Sequence, residues 1–217
     1  MRRTPLVVPT EEPSASERAY RLIRDGVLRG TYAPGSMIGE ASLAKQFELS
    51  RTPVRLALGR LQQEGWIEIF PKRGAVVRGL SERQVAELAG TRLLLESVSV
   101  LEAPAKQREL IAERQYLSIE EQDDALAAGE LGQFVELTIA FHRGFVEAGG
   151  NSIRVELYDH LADRHRFALF ATSQDLITRR EEIIAEHRQL VRLMVEGDSD
   201  EFRASLGKHV SDNGNAP

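Results

Sequence analysis

The sequence contains no cysteine, one tryptophan and few aromatic residues, 6% in all. Without cysteine there is no disulfide framework and no thiolate metal site. No apolar run approaches the roughly 18 residues that a membrane span needs. The start Met1-Arg2-Arg3 leads only to the short run Leu6-Val7-Val8, not to the apolar core of a signal peptide. These absences predict a soluble cytoplasmic protein with no membrane partner. An excess of positive charge is also missing. The 28 Lys and Arg residues face 33 Asp and Glu, a net charge of −5. Over the whole chain, that balance argues against nucleic acid.

The charge is unevenly spread. Residues 1–79 hold 13 basic and 8 acidic side chains, whereas residues 80–217 hold 15 and 25. The first part is therefore positive by 5 and the second negative by 10, as expected for two parts with different partners. A length of 217 residues and a hydrophobic content of 42% accommodate one large packed domain or two small ones.

Periodicity divides the chain the same way. Residues 1–15, with three prolines, read as a flexible arm. From Ser16, Ala19, Leu22, Ile23 and Val27 recur at helical spacing, with Gly30 as a stop. Turn residues at 32–36 precede a short helix bearing Leu43, Ala44 and Phe47 on one face. Ser50 is placed as the N-cap of a third helix, with its hydroxyl accepting from first-turn amides, and Pro53 sits where its missing N–H costs nothing. That helix carries Val54, Leu58 and Leu61 inward and ends at Gly65. The alternation of residues 66–70, the turn Pro71-Lys72-Arg73-Gly74 and the run 75–77 then predict a two-stranded ribbon. Val54, Leu58, Leu61, Trp66 and Phe47 are the expected core. Beyond Gly79, strand signals vanish. Ser81-Glu82-Arg83-Gln84 fits a capping box. Pro104, Gly129, Gly149-Gly150 and Gly197 divide an all-α region into about six helices, and residues 211–217 read as a frayed tail. The fold class is mainly α: a winged helix-turn-helix over 16–79, then a helical bundle over 80–210.

In a winged helix-turn-helix the third helix enters the major groove with its N-terminal residues leading. Here that helix opens Ser50-Arg51-Thr52-Pro53-Val54-Arg55. Arg51 and Arg55 are four apart and share a face, with Arg60 as a further charge. Arginine at such a position can fork onto guanine O6 and N7, and Thr52 can bond a phosphate or touch a thymine methyl. Lys72 and Arg73 at the ribbon tip suit phosphate or the minor groove, and Gly74 lets backbone come close. The competing reading, a solvated basic helix face, loses weight because the element order and the basic tip agree with each other.

The run Leu49-Ser50-Arg51-Thr52-Pro53-Val54-Arg55, with Pro34-Gly35, Leu43-Ala44, Ala57-Leu58, Leu61, Glu64-Gly65 and Arg73-Gly74-Ala75, resembles the DNA-binding domain of the GntR superfamily of bacterial regulators. The resemblance implies DNA contacts at Arg51, Thr52, Arg55 and Gly74. Leu56 departs from it, since the family commonly has Glu there.

All five histidines follow residue 140. His142 shares a helix face with Phe134, Thr138, Phe141 and Phe145. His187 falls with Ile183, Ile184, Leu190, Val191 and Met194, and His209 with Phe202 and Leu206. Each points inward from a different helix, as bundle metal sites require. Periodicity equally allows three separate hydrogen-bonded core histidines. Arg92-x-x-x-Glu96, Phe141-His142, Gly150-Asn151, Glu186-His187 and His209 resemble the FCD ligand-binding domain of FadR-type GntR regulators. That resemblance implies a divalent metal, such as zinc or nickel, held by His142, His187 and His209, beside a pocket for an organic acid or related metabolite. The family's Asp ligand, four residues before the first His, is here Thr138, a neutral group fit at most to hold a water. Arg92 matches a position that often faces the pocket, where it would clamp a carboxylate. Its alternative is an ion pair with Glu96. His165 is a further candidate ligand, His160 reads as surface, and Asn151 reads as a helix cap.

The expectation is an effector-controlled, homodimeric repressor that binds double-stranded operator DNA and is not an enzyme. A metal-responsive regulator and a three-His metal-dependent hydrolase are the alternatives.

Overall fold

Ala19, Ile23 and Val27, four residues apart, form the buried stripe of α1 (Ala15–Leu28) in the computed structural model. The structure describes residues 13–212, so residues 1–12 of the expected arm and 213–217 of the expected tail lie outside the described residues. The described chain falls into two compact units. One comprises the chain to Val27 with Thr31–Gly79. The other comprises Leu28–Gly30 with the chain from Leu80 onward.

After α1 the first unit continues through β1 (Met37–Ile38), α2 (Glu40–Gln46), α3 (Arg51–Gln63), β2 (Ile67–Phe70) and β3 (Gly74–Val77). Val54, Leu58 and Leu61 of α3 are buried with Leu43, Ile38, Ile67, Ala75 and Val77. Phe47 and Trp66, expected in the core, are only half-buried. Phe47 is the C-cap of α2 and Trp66 immediately precedes β2, so both sit at element ends.

The expected ribbon is a three-stranded antiparallel sheet in the order β1-β3-β2. Met37 pairs with Val76 and Ile38 with Ala75. Two residues are too short for an alternating pattern to register. This strand also changes the reason for Gly74. Its φ is +120°, and a Cβ there would lie 2.7 Å from the Ile38 carbonyl oxygen. The close backbone approach that glycine permits is thus to β1 of the same chain.

The second unit comprises α4 (Glu82–Glu102), α5 (Ala105–Ala128), α6 (Leu131–Ala148), α7 (Ser152–Ala171), α8 (Ser173–Thr178), α9 (Arg180–Glu196) and α10 (Ser199–Asp212). Ser81 and Gln84 form the reciprocal capping box. Asn151 accepts from the amides of Ile153 and Arg154 and so caps α7. Left-handed Gly129 and Gly197 close α5 and α9. Among the described residues the helices of this unit number seven, because the chain also breaks around Thr172 and Arg179. Neither residue is a glycine or proline, so no breaker announces that break.

Helix α5 packs against α6 and α9, while α4 packs against α6, α7 and α10. Their apolar side chains form two clusters. One holds Val100, Ile119, Phe141, Phe145, Met194, Phe202 and Leu206; the other holds Ala125, Leu126, Phe134, Ile139, Leu169 and Ile183. Along α5, buried Gln122 lies between Ile119 of the first and Ala125 of the second. Thr138 and His142 fall at the same changeover on α6. A buried polar layer therefore occurs where the two clusters meet.

Candidate functional site

In the first unit, the expected DNA-reading residues lie on α3 and on the β2–β3 turn. Arg51, Thr52, Arg55, Lys72 and Arg73 are exposed. Arg51, Arg55, Lys72, Arg73 and Gly74 line one groove together with Phe70. Lys72 adopts φ +64° at the turn. Arg55 donates from Nε and Nη2 to Glu40 at 2.9 and 2.8 Å. Arg60 faces elsewhere, with its guanidinium 3.6 Å from the Tyr20 ring centroid and bonded to Glu17 and Glu64. Its role is to brace α3 against α1.

Ser50 has the extended backbone of an N-cap, but its side chain makes no capping hydrogen bond. The expected cap is therefore absent. First-turn amides of α3 remain without that partner, and a helix start with amides to offer suits a phosphate.

In the second unit, α6, α9 and α10 bring His142, His187 and His209 together. All three are buried, and one ring nitrogen from each falls in a group spanning no more than 4.8 Å. Nε2 of His209 lies 3.2 Å from Nε2 of His142 and 3.3 Å from Nε2 of His187. For donors about 2.1 Å from an ion, tetrahedral neighbours are about 3.4 Å apart and octahedral ones about 3.0 Å. The observed separations fall between these.

Two carboxylates fix the ring orientations. His142 Nδ1 lies 2.7 Å from Glu96 Oε2, and His209 Nδ1 lies 2.7 Å from Glu186 Oε2. Where the carboxylate accepts, the Nδ1 of its imidazole carries the proton. The Nε2 lone pairs of His142 and His209 then face each other. Burial, followed by the nearby Arg92 charge, holds His142 well below the usual imidazole range. Burial also lowers His209, against the opposing pull of Glu186. Neutral rings are thereby favoured, and two neutral acceptors at 3.2 Å repel unless a cation lies between them. The donor set fits a borderline divalent ion such as zinc or nickel.

Arg92 is buried and donates through Nε to Glu96 Oε1 at 3.1 Å. Through Nη1 it donates to His165 Nε2 at 2.8 Å. That bond engages His165 Nε2, and His165 does not fall in the group of clustered ring nitrogens formed by His142, His187 and His209. Burial pushes the Glu96 carboxyl up to about 7, with Arg92 opposing. The buried Arg92 guanidinium also engages the Tyr158 hydroxyl, whereas His165 Nδ1 and His187 Nδ1 are buried without a hydrogen-bond partner. Unpaired buried polar atoms are costly and mark a place for a polar ligand. Thr138, also buried, donates to Gln122 Oε1 at 3.5 Å. His160 is exposed and bonds the Glu156 carbonyl.

Sequence reasoning missed Gln122 and Tyr158, and it did not assign Glu96 and Glu186 to the imidazoles. Gln115, Ile119, Gln122 and Leu126 recur at helical core spacing, so amides at inward positions were the available signal. Nothing local pairs Glu96 with a histidine 46 residues away.

Residues 15–77 match the family described as bacterial regulatory proteins, gntR family, and residues 87–212 match the FCD domain. The HTH-type transcriptional repressor RspR of Escherichia coli (strain K12) is 25% identical over 204 residues, covering 91% of this chain and 86% of that protein. The Nta operon transcriptional regulator of Aminobacter aminovorans is 28% identical over 181 residues, covering 82% and 83%. A solved structure of a GntR transcriptional regulator from Rhodococcus sp. RHA1 shares the fold, with a TM-score of 0.76 at 19% identity over 93% of this chain and 96% of that one. The chain therefore belongs to the gntR family of bacterial transcriptional regulators, with an FCD domain as its C-terminal part.

Proposed function

We propose that this regulator is a homodimeric repressor whose hold on operator DNA is released by a small organic acid bound beside a divalent ion. Arg51 and Arg55 read base edges. Thr52 and the free start of α3 take phosphate, and Lys72, Arg73 and Gly74 form the wing contact. The convergence of Arg51, Arg55, Lys72, Arg73 and Gly74 on one groove supports this assignment.

His142, His187 and His209 would hold the ion. The observation that carries this reading is the 3.2 Å approach of two Nε2 atoms whose Nδ1 partners are carboxylates. When bound, a divalent ion supplies a Lewis-acidic anchor for an anion. Arg92, a buried guanidinium on α4, supplies the second anchor. Thr138 lines the site as a neutral group. Glu96 and Glu186 are engaged with imidazoles, which disfavours a role as the general base of a hydrolase.

A dimer suits the apolar side chains left exposed on the neighbouring helices α4 and α7: Leu94, Leu101, Ile153 and Leu157. Its two-fold symmetry would match a near-palindromic operator. The effector favours the state with lower operator affinity, and DNA must weaken effector binding by the same factor.

The test is elemental analysis of protein purified without chelator. About one equivalent of a transition metal per chain is expected, and the His142→Ala variant should lose it. Less than about a tenth of an equivalent in the wild type sinks the metal reading.

A further inference from the structure

We infer that the outer face of α5 is a second self-association surface, on which α5 of one protomer lies antiparallel to α5 of another copy of this chain. It is separate from the exposed apolar side chains of α4 and α7, and it joins two dimers into a tetramer.

Helix α5 buries Ile111, Ile119, Gln122 and Leu126 in the bundle. Its opposite side carries Lys106, Leu110, Glu113, Arg114, Leu117 and Glu121, spaced so that they form one stripe of an α-helix. All six are exposed. Leu110 is 54% exposed and Leu117 is 69% exposed, so two large apolar groups, two turns apart, meet solvent. Among the described residues, the ion pairs of α5 run from Arg114 to α6 and from Glu120 and Asp123 to α9. Lys106, Glu113 and Glu121 take part in none of them.

The order of these side chains makes the stripe its own complement. In a two-fold interface, residue i meets j and j meets i. With the helices antiparallel and the axis crossing between Glu113 and Arg114, Leu110 falls opposite the partner's Leu117. Lys106 then falls opposite the partner's Glu121, and Glu113 opposite the partner's Arg114, each pair occurring twice. Parallel helices would instead set like charge against like charge. Sliding the partner by one helical turn would set Leu110 against a glutamate, the partner's Glu113 or the partner's Glu121. Apolar contact and charge thus agree on a single register. Arg114 donates to Glu147 through Nη2, and its side chain stays more than half exposed, with further N–H groups for a second carboxylate. A single helix pair is a small interface, so the association is weak and depends on concentration. Joining two dimers lets one assembly hold two operators, each raising the local concentration of the other.

The experiment is sedimentation velocity of the full-length protein over about a hundredfold range of concentration. The expected result is a reversible doubling of mass as concentration rises, starting from the dimer at the dilute end. The Leu110→Glu and Leu117→Glu double variant should keep the dilute mass and show no doubling. Lys106→Glu alone should weaken the doubling by about tenfold, and so should Glu121→Lys alone. Together these two should restore it, because the pair is remade with its charges exchanged. All four positions are exposed, so the variants should fold as the wild type does. A constant wild-type mass across the range overturns the inference. So does doubling that survives in the leucine variant, or a double charge reversal that restores nothing. A monomer at the dilute end overturns the dimer reading above and leaves the doubling to decide this one.

Discussion

Arg55 meets the solvent already paired, through Nε and Nη2, with Glu40. Its side chain is 71% exposed, and exposed pairs contribute little, so the pair presents no barrier to exchange for guanine. Arg51→Ala and Arg55→Ala should therefore each weaken operator binding by about ten- to a hundredfold if the guanidinium reads a base. Gel shifts against the operator and a scrambled duplex check this, and unchanged affinity in both variants removes the role. Lys72 at the turn tip is a different kind of contact. Lys72→Ala should weaken all sequences alike and reduce the slope of log affinity against log salt by about one. The two arginines were legible in the sequence because they flank a helix start. The pairing of Arg55 with Glu40 was not, since it joins two helices through side chains 15 residues apart.

At the scale of elements, two glycines separate local from tertiary requirements. Gly74 combines φ +120° with a Cβ position 2.7 Å from the Ile38 carbonyl oxygen. Gly74→Ala should cost about 1–3 kcal/mol of stability and distort the wing. Gly149, at the end of α6, has an ordinary backbone, but a Cβ there would lie 2.9 Å from the Ser99 Cα and carbonyl oxygen. Gly149→Ala should therefore destabilise through contact with α4, by about 1–3 kcal/mol. Thermal denaturation of both variants measures this, and melting as for the wild type would show that the backbone relaxes freely. Caps and left-handed glycines made the boundaries of α4, α5 and α7 readable. Strand β1 and the break around α8 were not readable, because the first is too short to alternate and the second carries no glycine or proline at Thr172 or Arg179.

For the whole molecule, the exposed Leu101 and Leu157 supply a test of assembly. The double variant Leu101→Glu and Leu157→Glu should run as a monomer in light scattering where the wild type runs as a dimer. A dimer of unchanged mass would place the interface elsewhere. Zinc should raise the thermal stability of the wild type, by about 2.7 kcal/mol at a hundredfold excess over its dissociation constant. The His209→Ala variant should lose most of that gain. Among the described residues no helix is long and apolar enough to cross a membrane. The uneven charge also finds a place: the positive 1–79 part carries α3 and the wing, and the acidic remainder carries the buried histidine layer.

The sequence by itself determined the order of helices and ribbon, the basic start of α3, and the inward faces of three helices with a histidine on each. Those features are local: helical and strand periods, caps, and charge at helix starts are set by residues within a few positions of one another. Tertiary structure alone decided that the three Nε2 atoms meet, that Glu96 and Glu186 orient two of the rings, and that Arg92 takes both Glu96 and His165. It also decided that Thr138 faces an amide instead of a charge. Periodicity gives a side chain its direction from its own helix. The distance to a side chain on another helix depends on how the helices pack.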